Sequence, residues 1–375
     1  MNRIYFDNAA TTPLDPEVVE AMMPYLTERF GNPSSIYSYG RETRMAVERA
    51  RKSVALLLHA NPGEIFFTSG GTESSNTAIV AAIRDLGCSR VISSPIEHHA
   101  TLHATGFFRE TGLCSLEQVS LGENGQVDLD SLDRMLQRAA GKTLVSLMHA
   151  NNEIGNLLDM EQAAAICQKH GAIFHCDTVQ TVGHYPIDLK KIPVHFITAA
   201  SHKFHGPKGV GMLYVNESVR IRPLIHGGSQ ERNLRAGTEN VYGIVGFARA
   251  LEISLAELEK TSVQIRELRD DMAGKLLERI PGLQFNGDLR GRSLYTVLSI
   301  SLPRTERTEM ILMNLDMKGI CASGGSACTS GASTGSHVIN ALHPGEDRVA
   351  IRFSFSKYNT PQEVDEVVRQ LSELI

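Results

Sequence analysis

Ala172-Ile173-Phe174-His175-Cys176-Asp177 is the stretch on which the fold turns. It is a short, mostly apolar run that ends on a carboxylate, which suits a strand buried on both faces with a polar group at its carboxyl end. Residues 161–170 before it have helical periodicity, and residues 196–199 after it form another short apolar run. The same alternation extends outward. Residues 65–68, 91–94 and 143–149 read as further strands, and 41–59 as a helix. Residues 16–29 read as helical too, with Pro24 expected to kink or divide them. Alternation of this kind implies an α/β fold with a mostly parallel sheet covered on both faces.

Past this region the pattern changes. No proline occurs from 242 to 280, where leucine, alanine, glutamate and arginine dominate, so one or two long helices should lead from a large domain to a smaller one. Residues 296–302 and 348–355 look like strands of a second sheet, and 361–374 like a closing helix. The glycine-rich stretch 323–335 is the candidate mobile loop. A chain of 375 residues buries enough apolar surface to need no staples.

The net charge of −5, with no basic stripe or tail, argues against nucleic acid as a partner. Met1-Asn2-Arg3-Ile4-Tyr5-Phe6 opens without an apolar h-region, so no signal peptide is expected, and no run is long enough to span a membrane. The six cysteines lack paired spacing and read as free thiols of a reducing cytoplasm.

Chemistry gathers at a few places. In Ser201-His202-Lys203-Phe204-His205-Gly206-Pro207-Lys208-Gly209 a lysine follows a strand end and precedes a Gly-Pro turn. That setting suits a lysine that bonds covalently to a bulky cofactor, although Lys203 alone reads more readily as a surface lysine. Asp177 sits where ligands bind in open α/β sheets. It could pair with a protonated pyridine nitrogen or merely cap the turn that follows. Phe67-Thr68-Ser69-Gly70-Gly71-Thr72-Glu73 runs a strand into glycines and a hydroxyl-rich helix start, a phosphate cradle or an ordinary capped turn. His98 could stack on a planar ring and take part in proton transfer, or be an ordinary, partly buried histidine with its hydrogen bonds satisfied. His99 and His103 would share a helical face, but with no third ligand evident no metal is expected. Arg352, between apolar neighbours, could fork onto a carboxylate or simply face solvent on an alternating strand. Cys328 lies in a polar, glycine-rich surround unusual for an inert core thiol; Cys321 follows an apolar run and reads as packing.

Taken together these stretches closely resemble the cysteine desulfurases of iron–sulfur cluster assembly, in the aminotransferase class V group. The likeness includes Tyr5-Phe6-Asp7-Asn8-Ala9-Ala10-Thr11-Thr12-Pro13, Gly31-Asn32-Pro33-Ser34-Ser35, Met148-His149-Ala150-Asn151-Asn152-Glu153-Ile154-Gly155 and Arg235-Ala236-Gly237-Thr238. The resemblance implies the fold-type I architecture of pyridoxal 5'-phosphate (PLP) enzymes: a large domain with a mostly parallel, seven-stranded sheet and a smaller α/β C-terminal domain. The division then expected is 15–255 for the large domain, with 1–14 and 256–375 forming the small one that carries Cys328 and Arg352.

The resemblance also implies roles. Lys203 would bind PLP and later move the substrate proton. His98 would stack on the ring, Asp177 would pair with its nitrogen and Gln180 would bond its hydroxyl. Asn152 would orient cofactor and substrate. Gly71, Thr72 and His202 would bind the phosphate, joined by Thr238 from the partner subunit of a homodimer. Arg352 would hold the carboxylate of L-cysteine. Cys328 would take the sulfur as a persulfide and pass it to an acceptor such as an iron–sulfur scaffold protein, leaving alanine. The family places a phosphate-binding serine three positions before the lysine; here Ala200 stands there, with Ser201 one step later, so either phosphate binding is weaker or Ser201 or a water substitutes. The chain ends at Ile375, where assembly-type relatives continue into a tail that helps dock the scaffold. A selenocysteine lyase or a cystathionine- or kynurenine-cleaving enzyme of the same fold is the nearest rival reading. A fold retained as a sulfur carrier without turnover, and a zinc hydrolase built on His98, His99 and His103, stand further off.

Overall fold

In the computed structural model, which describes residues 3–138, 141–324 and 336–375, the strands in chain order are β1 (Ile4–Tyr5), β2 (Ile65–Thr68), β3 (Arg90–Ser93), β4 (Ser115–Gln118), β5 (Thr143–Met148), β6 (Ile173–Asp177), β7 (Phe196–Ala200), β8 (Gly211–Val215), β9 (Gln284–Phe285), β10 (Val297–Pro303), β11 (Ile320–Cys321) and β12 (Arg348–Ser354). Seven of them form the main sheet in the order β2-β8-β7-β6-β5-β3-β4. Only β8 runs against its neighbours in that sheet. Every residue of β5, β6, β7 and β8 is buried, as expected of strands covered on both faces. The register aligns Met148 with Asp177 and Asp177 with Thr198, so the carboxyl ends of three neighbouring strands lie in one row.

The helices are α1 (Pro16–Thr27), α2 (Ser38–Leu57), α3 (Gly71–Arg84), α4 (His99–Glu110), α5 (Leu129–Gln137), α6 (Met160–Lys169), α7 (Val241–Ala256), α8 (Leu258–Arg279), α9 (Glu306–Glu309), α10 (Ile311–Met317), α11 (His337–Leu342) and α12 (Pro361–Leu374). Asp15 caps α1 by accepting from the Glu17 N–H, and Pro16 fills the first helical position. Pro24 does not divide this helix as expected. It falls in the last turn, where its missing N–H costs a single bond, and its carbonyl accepts from Glu28 and Arg29.

The proline-free stretch 242–280 is two helices, hinged at Glu257. Helix α7 packs on α1 and α2, and α8 packs on α12. This hinge separates two cores. The apolar side of α7 joins the core of the main sheet through Ile244, Phe247 and Leu251. Helix α8 joins a second core with β10, β12 and α12, through Leu268, Met272 and Leu276. Phe6, from the other end of the chain, is buried in that second core. The sheet β9-β10-β12 is antiparallel, and β1 pairs in parallel with β11.

Candidate active site

A cavity of about 250 Å³ lies at the row of strand ends. Gly71, Thr72, His98, Asn152, Asp177, Gln180, His202, Lys203 and Arg352 all line it, as does Ala200. Ser201 and Thr238 do not, and Cys328 lies outside the described residues.

Lys203 ends a short 3-10 turn, Ser201–Lys203, that leaves β7. Its Nζ donates to the carbonyls of Ala9 at 2.6 Å and Ala10 at 2.9 Å. The N-terminal segment is fastened over this turn elsewhere too: the Thr12 N–H and hydroxyl donate to the His202 carbonyl, and the His205 N–H donates to Thr12 Oγ1. Gly206 is required here, because a Cβ at that position would sit 1.8 Å from Ser201 Oγ. That contact also shows where the Ser201 hydroxyl points. It is buried against Gly206, without a hydrogen-bond partner, and not toward the cavity. Ser201 thus does not line the cavity as the expected substitute for a serine at 200: β7 ends at Ala200, and Ser201 opens the 3-10 turn with its side chain against Gly206.

Asp177 caps the turn that follows it and also faces the cavity. Its Oδ1 accepts from the Val179 N–H at 3.0 Å and from the Thr198 hydroxyl at 3.3 Å, and the residue still lines the cavity. His98 caps α4, its Nδ1 accepting from the Ala100 N–H at 3.1 Å. Burial lowers its pKa, with Asp177 opposing and Lys203 assisting, so the ring is neutral and its proton sits on Nε2. His202 is neutral for a similar reason: burial, then Lys203 and Lys208, bring it to about 4. Its Nδ1 lies 3.2 Å from the Thr11 hydroxyl. With that hydroxyl as donor, Nε2–H is left to serve an anion.

Arg352 is only 1 % exposed, so it is not an alternating surface residue. Nη1 donates to the Asn152 carbonyl at 2.8 Å and Nη2 to Asp7 Oδ1 at 2.7 Å, while Nε has no hydrogen-bond partner. Gln180 donates to the Ala9 carbonyl at 3.1 Å.

Sequence reasoning missed several neighbours. Asp7 and the Ala9 and Ala10 carbonyls lay in the quoted N-terminal motif, but nothing local to that motif shows what it touches. His337 was missed too. His99 and His103 do share a face of α4, their rings 5.0 Å apart, and the ring of His337 lies 4.6 Å from that of His99. Among the described residues, no group of three or more histidines, cysteines or carboxylates is placed to hold a metal ion.

These groups fit a phosphorylated pyridine aldehyde. The first turn of α3 offers unpaired N–H groups and the Thr72 hydroxyl, and a Cβ on Gly71 would lie 2.6 Å from Val179 Cγ2, so only glycine permits this close wall. His202 adds a neutral donor, Asp177 a carboxylate for a ring nitrogen, and Lys203 the amine.

The comparisons agree. Residues 4–367 match the family described as "Aminotransferase class-V". A protein named cysteine desulfurase IscS from Dictyoglomus turgidum is 42% identical, over 99% of this chain and 94% of its own length. A solved structure titled NifS-like protein superposes with a TM-score of 0.90 at 37% identity, covering 99% of each chain. Another, titled SspA in complex with cysteine, has a TM-score of 0.81 at 28% identity and covers 96% of this chain and all of its own. With the motifs, the seven-stranded sheet and the lysine at its edge all in agreement, the chain belongs to the aminotransferase class-V family, on its cysteine desulfurase branch.

Proposed function

We propose that this protein is a PLP-dependent cysteine desulfurase that converts L-cysteine to L-alanine and hands the sulfur, through Cys328, to a thiol acceptor such as an iron–sulfur scaffold protein. The observation that carries this reading is the convergence of Lys203, Asp177 and Arg352 on one cavity. Bound there, the cofactor would supply an electron sink for bonds at the substrate α-carbon. The chain's own residues do the rest. Arg352 and Asn152 hold the substrate carboxylate. His98, neutral and protonated on Nε2, covers the ring. Asp177 keeps the ring nitrogen protonated. Lys203 Nζ carries the proton between substrate atoms. The Cys328 thiolate attacks the substrate sulfur; the substrate's carbon–sulfur bond breaks, a persulfide forms, and the released carbon takes up a proton as alanine forms.

A homodimer fits two features. Thr238 is exposed and stands apart from the cavity of its own chain. Phe30 and Ile36, 73 % and 88 % exposed, are large apolar side chains in want of cover. A cytoplasmic location and a protein acceptor, with neither nucleic acid nor membrane as partner, complete the reading. Among the described residues no helix is long and apolar enough to cross a membrane.

The test is release of sulfide and alanine from L-cysteine with PLP and a thiol reductant, beside the Cys328→Ser variant. Stoichiometric alanine and sulfide, lost in the variant, is the expected result. Normal sulfide release from the variant would overturn the role of Cys328, and no turnover by a chain that binds the cofactor through its lysine would overturn the substrate.

A further inference from the structure

The loop that carries Thr238 is fastened to the phosphate-cradling loop of its own chain by two carboxylates. The first is Glu231, which is buried. Its two oxygens accept from Arg51 Nη1 and Nη2 at 2.7 and 2.9 Å, and Oε2 also accepts from the Phe67 N–H at 2.9 Å. Arg51 Nη1 donates as well to the Ile65 carbonyl at 2.7 Å, and its guanidinium lies over the Phe67 ring. Both ends of this pair thus grip β2, the strand that delivers residues 68–72 to the cavity.

The second is Glu73, in the first turn of α3. It accepts from Arg235 Nε at 2.9 Å and Nη2 at 3.3 Å, and from the Ser69 N–H at 2.9 Å. Burial disfavours its charge, but the Arg235 and Ser69 donors hold its carboxyl below the usual range. Arg235 precedes Thr238 by three residues.

Between the two pairs the chain makes an unusual turn. Glu231, Arg232 and Asn233 have φ of 43°, 56° and 66°, three successive left-handed residues without a glycine among them. Side chains other than glycine rarely adopt this conformation, and such backbone persists only where the surroundings impose it. Here the Arg51–Glu231 pair holds its first residue, and Arg232 donates to the Pro62 carbonyl and Glu48.

We infer that Glu231 and Glu73 are positioning residues for the cofactor's phosphate: one set of contacts holds both the 68–72 loop, which serves this chain's own site, and the 229–238 loop, which carries Thr238 toward the partner's. The inference rests on the PLP reading, with Thr238 as a phosphate donor to the partner's site. It differs from a purely structural role in being specific to the phosphate group.

The experiment compares affinity for PLP with affinity for pyridoxal, which lacks the phosphate, by spectroscopic titration of the cofactor-free full-length chain and of its Glu73→Gln and Glu231→Gln variants. The expected result is a loss of PLP affinity of about tenfold or more, the scale for removing a supporting partner of a ligand group, with pyridoxal affinity unchanged. Equal loss toward both ligands, or loss toward neither, overturns the inference. Where Glu231→Gln fails to fold because the buried Arg51 keeps only Glu48 as a charge partner, Glu73→Gln and Arg235→Met decide. An unaltered chain that binds neither ligand overturns the cofactor reading itself, and the inference with it; an unaltered chain that binds PLP tightly beside variants that bind it as well removes the inference alone.

Discussion

Arg352 and Asp7 face each other across 2.7 Å, from positions 345 residues apart in the chain. The guanidinium that should receive the substrate carboxylate is therefore already neutralised by the protein's own N-terminal segment. This arrangement keeps a buried cation paired when no substrate is present.

The pair makes a first prediction. Arg352→Ala should raise KM for cysteine by an amount equivalent to roughly 2–5 kcal/mol, the scale for one partner of a buried charge pair. It should also lower stability, by leaving Asp7 without its cation. Adding Asp7→Asn should restore stability but not KM, because the neutral amide no longer needs a cation whereas the substrate still does. Urea unfolding and steady-state kinetics on the two variants separate these effects; recovery of KM in the double variant would remove Arg352 from the substrate site.

A second prediction concerns the phosphate end. Ala200 lines the cavity, and Ser201 turns its hydroxyl away, onto Gly206. Ala200→Ser should tighten PLP binding by about tenfold, the value of one hydrogen bond to a charged group. Ser201→Ala should leave PLP affinity unchanged and stability equal or slightly higher, since it removes a buried hydroxyl that has no partner. Equilibrium titration of the cofactor-free chains measures both, and a weakened Ser201→Ala variant would return Ser201 to the phosphate site.

Asp177 gives a third. Asp177→Asn keeps an oxygen for the Val179 N–H and so keeps the turn. It loses the charge that would hold a ring nitrogen protonated. Folding by circular dichroism should be unchanged while turnover drops by about a hundredfold or more, the range for loss of a well-placed proton partner. Undiminished turnover would show that the carboxylate serves only as a cap.

The fourth concerns acid. His175 is fully buried on β6, its Nδ1 2.8 Å from the Ser146 hydroxyl, and burial lowers its pKa to about 4. The unfolded chain binds this proton near the ordinary histidine value of about 6.5. In that window the unfolded state holds more protons, so the stability tied to His175 is complete above about pH 6.5 and is lost as pH falls toward 4. His175→Asn should therefore shrink the loss of stability between pH 7 and 5 by about 2 kcal/mol. Denaturant unfolding at the two pH values checks this, and an unchanged pH dependence would show that the imidazole titrates normally.

How much of this was legible beforehand depended on distance along the chain. Strands β2, β5, β6 and β7 could be read from their apolar runs, because burial on both faces leaves little room for polar residues. Eight of the nine expected site residues that meet at one cavity sit at or after strand ends of the main sheet, where the fold class itself places ligands; the ninth, Arg352, lies inside β12 of the second sheet. What stayed hidden was non-local or orientational. The partnership of Arg352 with Asp7, or of His99 with His337, leaves no trace in either residue's neighbourhood. The outward turn of Ser201 depends on where β7 ends and the 3-10 turn begins. The left-handed turn at 231–233 carries no glycine to announce it, and its first residue is held by an ion pair with the distant Arg51.

The N-terminal segment that covers Lys203 sets an order on biogenesis. Ile4 and Tyr5 pair with Ile320 and Cys321, Asp7 holds Arg352, and Asn8 donates to the Ser354 carbonyl. Residues 4–8, made first on the ribosome, thus meet these partners only when residues made nearly last have emerged, whereas Ala9, Ala10 and Thr12 meet theirs at residues 180–205 well before. Until the late residues emerge Arg352 itself is missing, and the nascent chain carries an unfinished site through most of its synthesis.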